Sequence, residues 1–346
     1  MYYKKLGNTQ IDVSSICLGT MTWGEQNTES EAFEQMDYSL ERGINFFDTA
    51  ELYSVPPKKE TFGSTERIIG NWLEKRNCRE KIILATKVVG RSGMKWFRGK
   101  ETRLNKEQIT SAIEGSLQRL KTDYIDLYQL HWPDRKSNFF GKLGYEHQDE
   151  TDLIQIREQL EILDNLVKQG KIRFIGLSNE TPWGLMKFIS MSEMYNLPRV
   201  VSVQNPYSLL NRSYEVGMAE ISIREQCGLL AYSPLAFGML TGKYDQGQYP
   251  EGARLTLFGE MYTRYTKQKG KIESKKFNTL ARESGFSPSE MALAFVNSQD
   301  FVTSNIIGAT NINQLEENIN SYSIKLDKAL IAEINKLNQE NPYPCP

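Results

Sequence analysis

The chain reads as an α/β protein: a single (β/α)8 TIM barrel with an N-terminal β-hairpin and an extra C-terminal helix. Three observations predict it. Short β-branched or apolar runs recur along the 346 residues, and longer stretches of helical period separate them. The runs are apolar almost throughout instead of alternating, as strands covered on both faces are. No Pro/Ser-rich linker or shift in composition divides the chain, so one domain is expected over residues 1–346.

The hairpin is expected over about residues 1–15, with Gly7-Asn8 as a two-residue turn between short strand-like runs. The barrel strands follow as "SICLGT", "INFFDTA", "IILATKV", "YIDLYQLHW", "IRFIGLSN", "VVSVQNPYS", "GLLAYSPL" and "SNIIGAT". Helix starts are marked between them: Asn105 with Gln108, and Ser287-Pro288 with Glu290, both fit a capping box. Gly170 and Gly285 stand where chains leave helices. Eight such units favour a closed barrel over an open doubly wound sheet, the other arrangement this rhythm permits. One irregular connection, about 134–151, is polar, Gly-bearing and aromatic, which fits either a lid over a functional site or a disordered excursion.

Composition removes several classes of function. The formal net charge is −1, with Lys and Arg dispersed along the chain, so neither nucleic acid nor an anionic membrane surface is an expected partner. The start "MYYKKLGNTQ" lacks an apolar core, and no segment approaches the roughly 18 apolar residues of a membrane helix. Cys17, Cys78, Cys227 and Cys345 stand far apart with no C-x-x-C pair, which fits a reduced, cytoplasmic setting. His131 and His147 are the only histidines and form no i, i+4 ligand pair, so no metal is expected. "GMLTGKY" is a residue short between its glycines and ends in Tyr where a P-loop needs Ser or Thr, which speaks against nucleotide hydrolysis.

In a barrel of this kind catalytic groups stand where strands stop being apolar, at their C-terminal ends. The stretch "GINFFDTAELYS" stops on Asp48 and reaches Tyr53 just beyond. "IILATKV" carries Lys87 at the same depth, and "LYQLHW" carries His131. Burying any of these alone is costly, but Asp48 and Lys87 within reach of each other relieve both. Tyr53 is then expected over the pair. A free phenol titrates near about 10, and an ammonium close by is expected to lower that value, making Tyr53 a general acid for an oxygen gaining negative charge. His131 would donate a hydrogen bond to the same oxygen, and carbonyl reduction needs such a cluster. Taken singly, each residue has a plainer reading. Asp48 also fits a turn cap, Lys87 a snorkelling strand end and His131 a satisfied core histidine, while Tyr53 is one of 17 tyrosines. Their coincidence at neighbouring strand ends carries the argument.

"GINFFDTAELYS", "LATKV", "DYIDLYQLHWPD", "GKIRFIGLSNE", "VQNPYSLLNR", "AYSPLAFGMLTGKY" and "GATNINQLEENI" follow one another along nearly the whole chain. In these motifs the sequence resembles the aldo-keto reductase superfamily, most closely its bacterial Tas-type reductases and more distantly the potassium-channel β subunits. The resemblance implies that Asp48, Tyr53, Lys87 and His131 form a catalytic tetrad with Tyr53 as proton donor. It also implies NADP(H) held in an extended conformation without a Rossmann domain; no G-x-G-x-x-G is present, so a dinucleotide site must be built another way. Carried over by residue, Thr20, Met21 and Asp48 adjoin the cofactor, and Ser178, Asn179 and Gln204 hold the nicotinamide carboxamide with both donors and acceptors. Tyr232 stacks on the nicotinamide ring, and Ser233, Pro234, Leu235, Ala236 and Phe237 run along the pyrophosphate. Lys243 and Arg254 approach the adenosine phosphates, while Gly308, Thr310, Gln314, Glu317 and Asn318 hold the adenosine end. A helix starting near Asn311 would aim backbone N–H groups at the 2′-phosphate, favouring NADP over NAD.

The expected activity is hydride transfer from NADPH to a small aldehyde or ketone. Trp23, Tyr53, His131 and Trp132 would line the substrate side, with the loop from Met94 to Phe97. The alternative is a sensor of the same fold that binds NADP(H) and acts through a protein partner with little turnover. Histidine at position 131 favours the enzyme, since the channel subunits lack it at that position.

Overall fold

The structure, a computed structural model, describes residues 1–346. β1 (Tyr3–Lys5) and β2 (Asp12–Ser14) form the antiparallel hairpin. Eight parallel strands then close a barrel: β3 (Ile16–Gly19), β4 (Phe46–Asp48), β5 (Ile83–Val88), β6 (Ile125–Leu130), β7 (Ile172–Ser178), β8 (Val200–Pro206), β9 (Gly228–Tyr232) and β10 (Val302–Ile307). Closure is made by β10 on β3, where Asn305, Ile306 and Ile307 pair with Ile16, Cys17 and Leu18. Every strand expected from the sequence is present, helices cover the outside, and a last helix, Lys328–Glu340, follows the barrel. No helix is long and apolar enough to cross a membrane.

The hairpin turn is wider than two residues. Leu6 N–H bonds Ile11 O at 2.9 Å, so residues 7–10 form the loop. Its placement supplies the reason. Leu6 is fully buried with Val13, Cys17, Phe46, Ala85, Leu127, Leu230 and Ile306, and so plugs the floor of the barrel. Gly7, at φ +60°, passes so close to the floor that a Cβ would meet Val201 O at 2.4 Å.

The helix punctuation holds with one amendment. Ser287 makes a full capping box with Glu290. Asn105 accepts from Gln108 N–H, but the Gln108 side chain turns away to accept from Arg103 N–H, leaving half a box. Gly170 and Gly285 follow their helices at φ +72° and +80°.

The interior layer made by Phe46, Ala85, Leu127, Leu230 and Ile306 sets up what stands above it. Side chains two residues apart share a strand face. One step toward the C-terminal mouth therefore brings Asp48, Lys87, Gln129, Tyr232 and Gly308 onto the inner wall. The barrel thus changes from apolar to polar over a single layer.

Candidate active site

At that polar layer Lys87 Nζ donates to Asp48 Oδ2 at 2.7 Å and to Thr49 O at 2.8 Å, and lies 3.3 Å from Tyr53 Oη. Both side chains of the ion pair are almost wholly buried, at 0% and 3% exposure. Gln204 and Gln129 donate to the other oxygen, Asp48 Oδ1, at 2.8 and 3.1 Å. The carboxylate is thus fully engaged, and the ammonium has a fixed position. Tyr53 stands over the pair, with the His131 ring edge-on to it at 5.9 Å. Sequence reasoning missed Gln129, although its place two residues above Leu127 and level with Lys87 was a usable signal.

The charge states follow from burial and neighbours. Burial pulls the Lys87 ammonium down, but Asp48 and Tyr53 outweigh it and hold its pKa above that of an ordinary lysine. Burial also raises the Tyr53 phenol, and here it outweighs the opposing pull of Lys87. The expected lowering is therefore corrected: in the resting site the phenol keeps its proton firmly, because losing it would place an anion in a dry pocket beside Asp48. His131 is held well below the usual imidazole range by burial and by Lys87, so it is neutral near pH 7. Its Nδ1 is buried without a hydrogen-bond partner.

A cavity of about 1530 Å³ opens above these groups. Of the residues expected around a cofactor, Thr20, Met21, Asp48, Ser178, Asn179, Gln204, Tyr232, Ser233, Pro234, Leu235 and Phe237 line it. Lys243, Arg254, Gly308, Thr310, Gln314, Glu317 and Asn318 line it as well. Ala236 does not; its side chain is buried in the hydrophobic core. The polar groups at the carboxamide end are partly spent. The Gln204 amide N–H groups go to Asp48 and Gln129, Ser178 Oγ donates to Gln204 O at 2.9 Å, and Asn179 Nδ2 donates to His131 O at 2.9 Å. Gln204 therefore offers the cavity an acceptor and no free donor. Tyr232 O–H donates to Asn179 Oδ1 at 2.7 Å, and burial pushes its pKa up to about 12, so its ring is held flat and neutral.

Lys243 and Arg254 face the cavity with no carboxylate within ion-pair distance; Glu317 is the acid that acts on Lys243, and Arg254 lies near enough to Tyr53 to act on its phenol. Burial and their mutual proximity lower the pKa of Lys243, and burial lowers that of Arg254. Two desolvated cations side by side call for an anion. Asn311 caps the helix Ile312–Asn320 by accepting from Gln314 N–H. The Gln314 side chain in turn accepts from Thr310 N–H and Oγ1 at 3.1 Å.

On the expected substrate side, Tyr53, His131, Trp132 and Met94 line the cavity. Trp23 does not. It is fully buried in the core, its indole N–H donating to Gln35 at 3.1 Å, because the turn after β3 swings it outward against the first helices. Trp96 and Phe97 stack on each other at 4.0 Å and pack against Phe62, behind the wall. The long 134–151 connection folds back toward the mouth: Phe140 lines the cavity and meets Trp132 edge-on at 5.7 Å, while Glu150 pairs with Arg91 at 3.1 Å. Apart from Arg254, the segment Pro250 to Arg264 adds lining residues that carried no readable motif, and Gln26 reaches across to bond Gly252 O at 3.1 Å.

Residues 15–339 match the aldo/keto reductase family. The chain belongs to that family. It is 47% identical over 348 aligned residues to protein tas of Escherichia coli K12, with all of both chains covered. It is 34% identical to the uncharacterized oxidoreductase YrpG of Bacillus subtilis, covering 97% of this chain and 96% of that one. An aldo-keto reductase of Babesia bovis matches at 38% identity, covering 74% of this chain and 95% of its own. This is therefore an aldo-keto reductase of tas type and an oxidoreductase. Enzymes of the family act on small carbonyl compounds with NAD(P)H.

Proposed function

We propose that this aldo-keto reductase reduces an aldehyde or ketone with NADPH, and that Tyr53 protonates the carbonyl oxygen. The observation that carries the reading is the buried chain Asp48–Lys87–Tyr53, with distances of 2.7 and 3.3 Å, opening into a cavity beside a neutral imidazole.

The residues present fit the cofactor. Lys243 and Arg254 are the unpaired cations its phosphates require, and the Tyr232 face and Gln204 Oε1 suit its nicotinamide end. Lys243, Arg254 and the helix start at Asn311 favour the extra phosphate of NADP. When bound, the nicotinamide supplies the hydride that adds to the carbonyl carbon.

The chain's own groups manage the oxygen. As the C–O π pair becomes an alkoxide, the Tyr53 O–H gives up its proton to it, and the Lys87 ammonium stabilises the phenolate left behind. Asp48 keeps Lys87 charged and in place. His131, neutral, donates a ring N–H to the same oxygen. Trp132, Leu52 and Phe140 exclude water, which strengthens each of these interactions.

The test is Tyr53→Phe, which removes only the hydroxyl. NADPH oxidation with 4-nitrobenzaldehyde is expected to fall about 10²–10⁴-fold, with NADPH binding unchanged by fluorescence. Turnover surviving in that variant would remove the acid role.

A further inference from the structure

Apart from Arg67, Arg254 and Arg264, every arginine in the chain has a carboxylate within ion-pair distance. Arg67 is exposed on its helix beside Ser64. The other two both line the cavity. Arg254 lies next to Lys243 and is accounted for by the cofactor phosphates. Arg264 is not.

Arg264 stands where the long 134–151 loop meets Tyr232. Its guanidinium lies 5.9 Å from the Tyr265 ring centroid and beside the phenols of Tyr232 and Tyr265. A guanidinium keeps its charge at any working pH, so burial beside two neutral phenols leaves a cation without a counter-charge. Gly141 of the long loop comes so close, at φ +94°, that a Cβ there would sit 3.5 Å from Arg264 Nε. The main chain of Pro346 borders the same glycine, yet no carboxylate of the chain comes within 4.0 Å of the guanidinium.

Two short routes tie Arg264 to the reacting centre. Through Tyr232, the O–H bonds Asn179 at 2.7 Å, and Asn179 bonds the His131 carbonyl at 2.9 Å. Through the loop, Gly141 follows Phe140, which packs on Trp132, whose ring lies 5.0 Å from that of His131. The wall between is apolar and aromatic: Met94, Trp132 and Phe140. A fixed, partly buried guanidinium at the end of such a wall presents a planar fork that a carboxylate fits.

We propose that Arg264 is a specificity residue that anchors a carboxylate of the substrate, so that the preferred substrates are aldehydes or ketones bearing an acid group beyond an apolar spacer. The proposal rests on the carbonyl-reductase reading above. Arg264 takes no part in proton transfer.

The experiment compares 4-carboxybenzaldehyde with its neutral methyl ester, using NADPH, on the wild type and on Arg264→Gln and Arg264→Lys. The wild type is expected to prefer the acid in kcat/KM by about tenfold or more, the worth of one charge-assisted bond. Arg264→Gln should bring that ratio near one through KM on the acid, leaving ester turnover and NADPH affinity within about twofold, and Arg264→Lys should restore part of it. An unchanged ratio in Arg264→Gln, an equal loss on both substrates, or a loss of NADPH affinity instead would each overturn the proposal. A second readout does not need turnover: 4-carboxybenzyl alcohol is titrated into the NADP⁺-loaded protein and tryptophan fluorescence is followed. Its affinity should fall about tenfold in Arg264→Gln and stay unchanged for the ester alcohol. If neither aldehyde turns over while this binding difference persists, the reductase reading fails and the anion anchor stands.

Discussion

Asp48→Asn isolates the ion pair on which the site is built. The substitution keeps the shape of the side chain and removes its charge. Lys87, at 0% exposure, would then face a neutral amide oxygen in place of a carboxylate, with Thr49 O at 2.8 Å and the Tyr53 hydroxyl as its other partners and no counter-charge. Removing one partner of a buried pair costs about 3–5 kcal/mol. With an unfolding entropy of about 2.1 cal/mol/K per residue, a chain of this length should lose about 4–7 °C in Tm. The pH dependence gives a sharper criterion. In the wild type Lys87 has a raised pKa, so its contribution is fully present below the ordinary lysine value of about 10.4 and is lost as pH rises through the folded value. In the variant the charge of Asp48 no longer opposes burial, and the folded pKa falls below the unfolded one. Between the two values the unfolded chain binds more protons, so stability of the variant rises with pH. The Tm deficit should therefore be largest near about pH 7 and narrow toward about pH 10. Thermal denaturation of both proteins at the two pH values measures it. Asp12→Asn, which removes an exposed partner of Lys5, serves as the control and should shift Tm by less than about 1.5 °C. A deficit in Asp48→Asn no greater than the control, or one that widens with pH, would refute the reasoning.

Replacing Lys243 and Arg254 by Met should weaken NADPH binding by about tenfold or more each, by fluorescence titration, and should flatten its salt dependence. Loss of NADH affinity to the same extent as NADPH affinity would remove the preference for the 2′-phosphate. Because His131 is held neutral by burial and by Lys87, kcat/KM with a neutral aldehyde should show no imidazole limb between about pH 6 and pH 8, the range where a free histidine titrates. A limb there that vanishes in His131→Gln would contradict the neutral assignment. Gly7→Ala and Gly170→Ala separate strain from crowding, since both positions have positive φ but only Gly7 would press a Cβ into backbone, at 2.4 Å. Gly170→Ala should cost about 1–2 kcal/mol and Gly7→Ala clearly more, by denaturant unfolding.

Hydropathy made the strands legible because a strand covered on both faces must be apolar until it reaches the mouth. For the same reason Asp48, Lys87 and His131 stood out as the places where apolarity ends. Gln129 was hidden: a glutamine among apolar neighbours carries no charge to mark it, and only register with Lys87 shows that it faces inward. Arg264 was one cation among many in a segment without periodicity. Loops are shaped by what they land on, and that is not written in their own residues.

The order of elements, the closed barrel and the three ionisable strand ends were readable in the amino acids, because each depends on local pattern and on the two-residue repeat of a strand. Tertiary structure alone decided that Trp23 turns into the core, that Phe97 backs the wall while Phe140 lines it, and that Gly7 needs a wide turn to seat Leu6 in the floor. It also decided the direction of the Tyr53 shift. An ammonium nearby pulls a phenol down and burial pushes it up, and how dry a pocket is depends on residues from every strand at once.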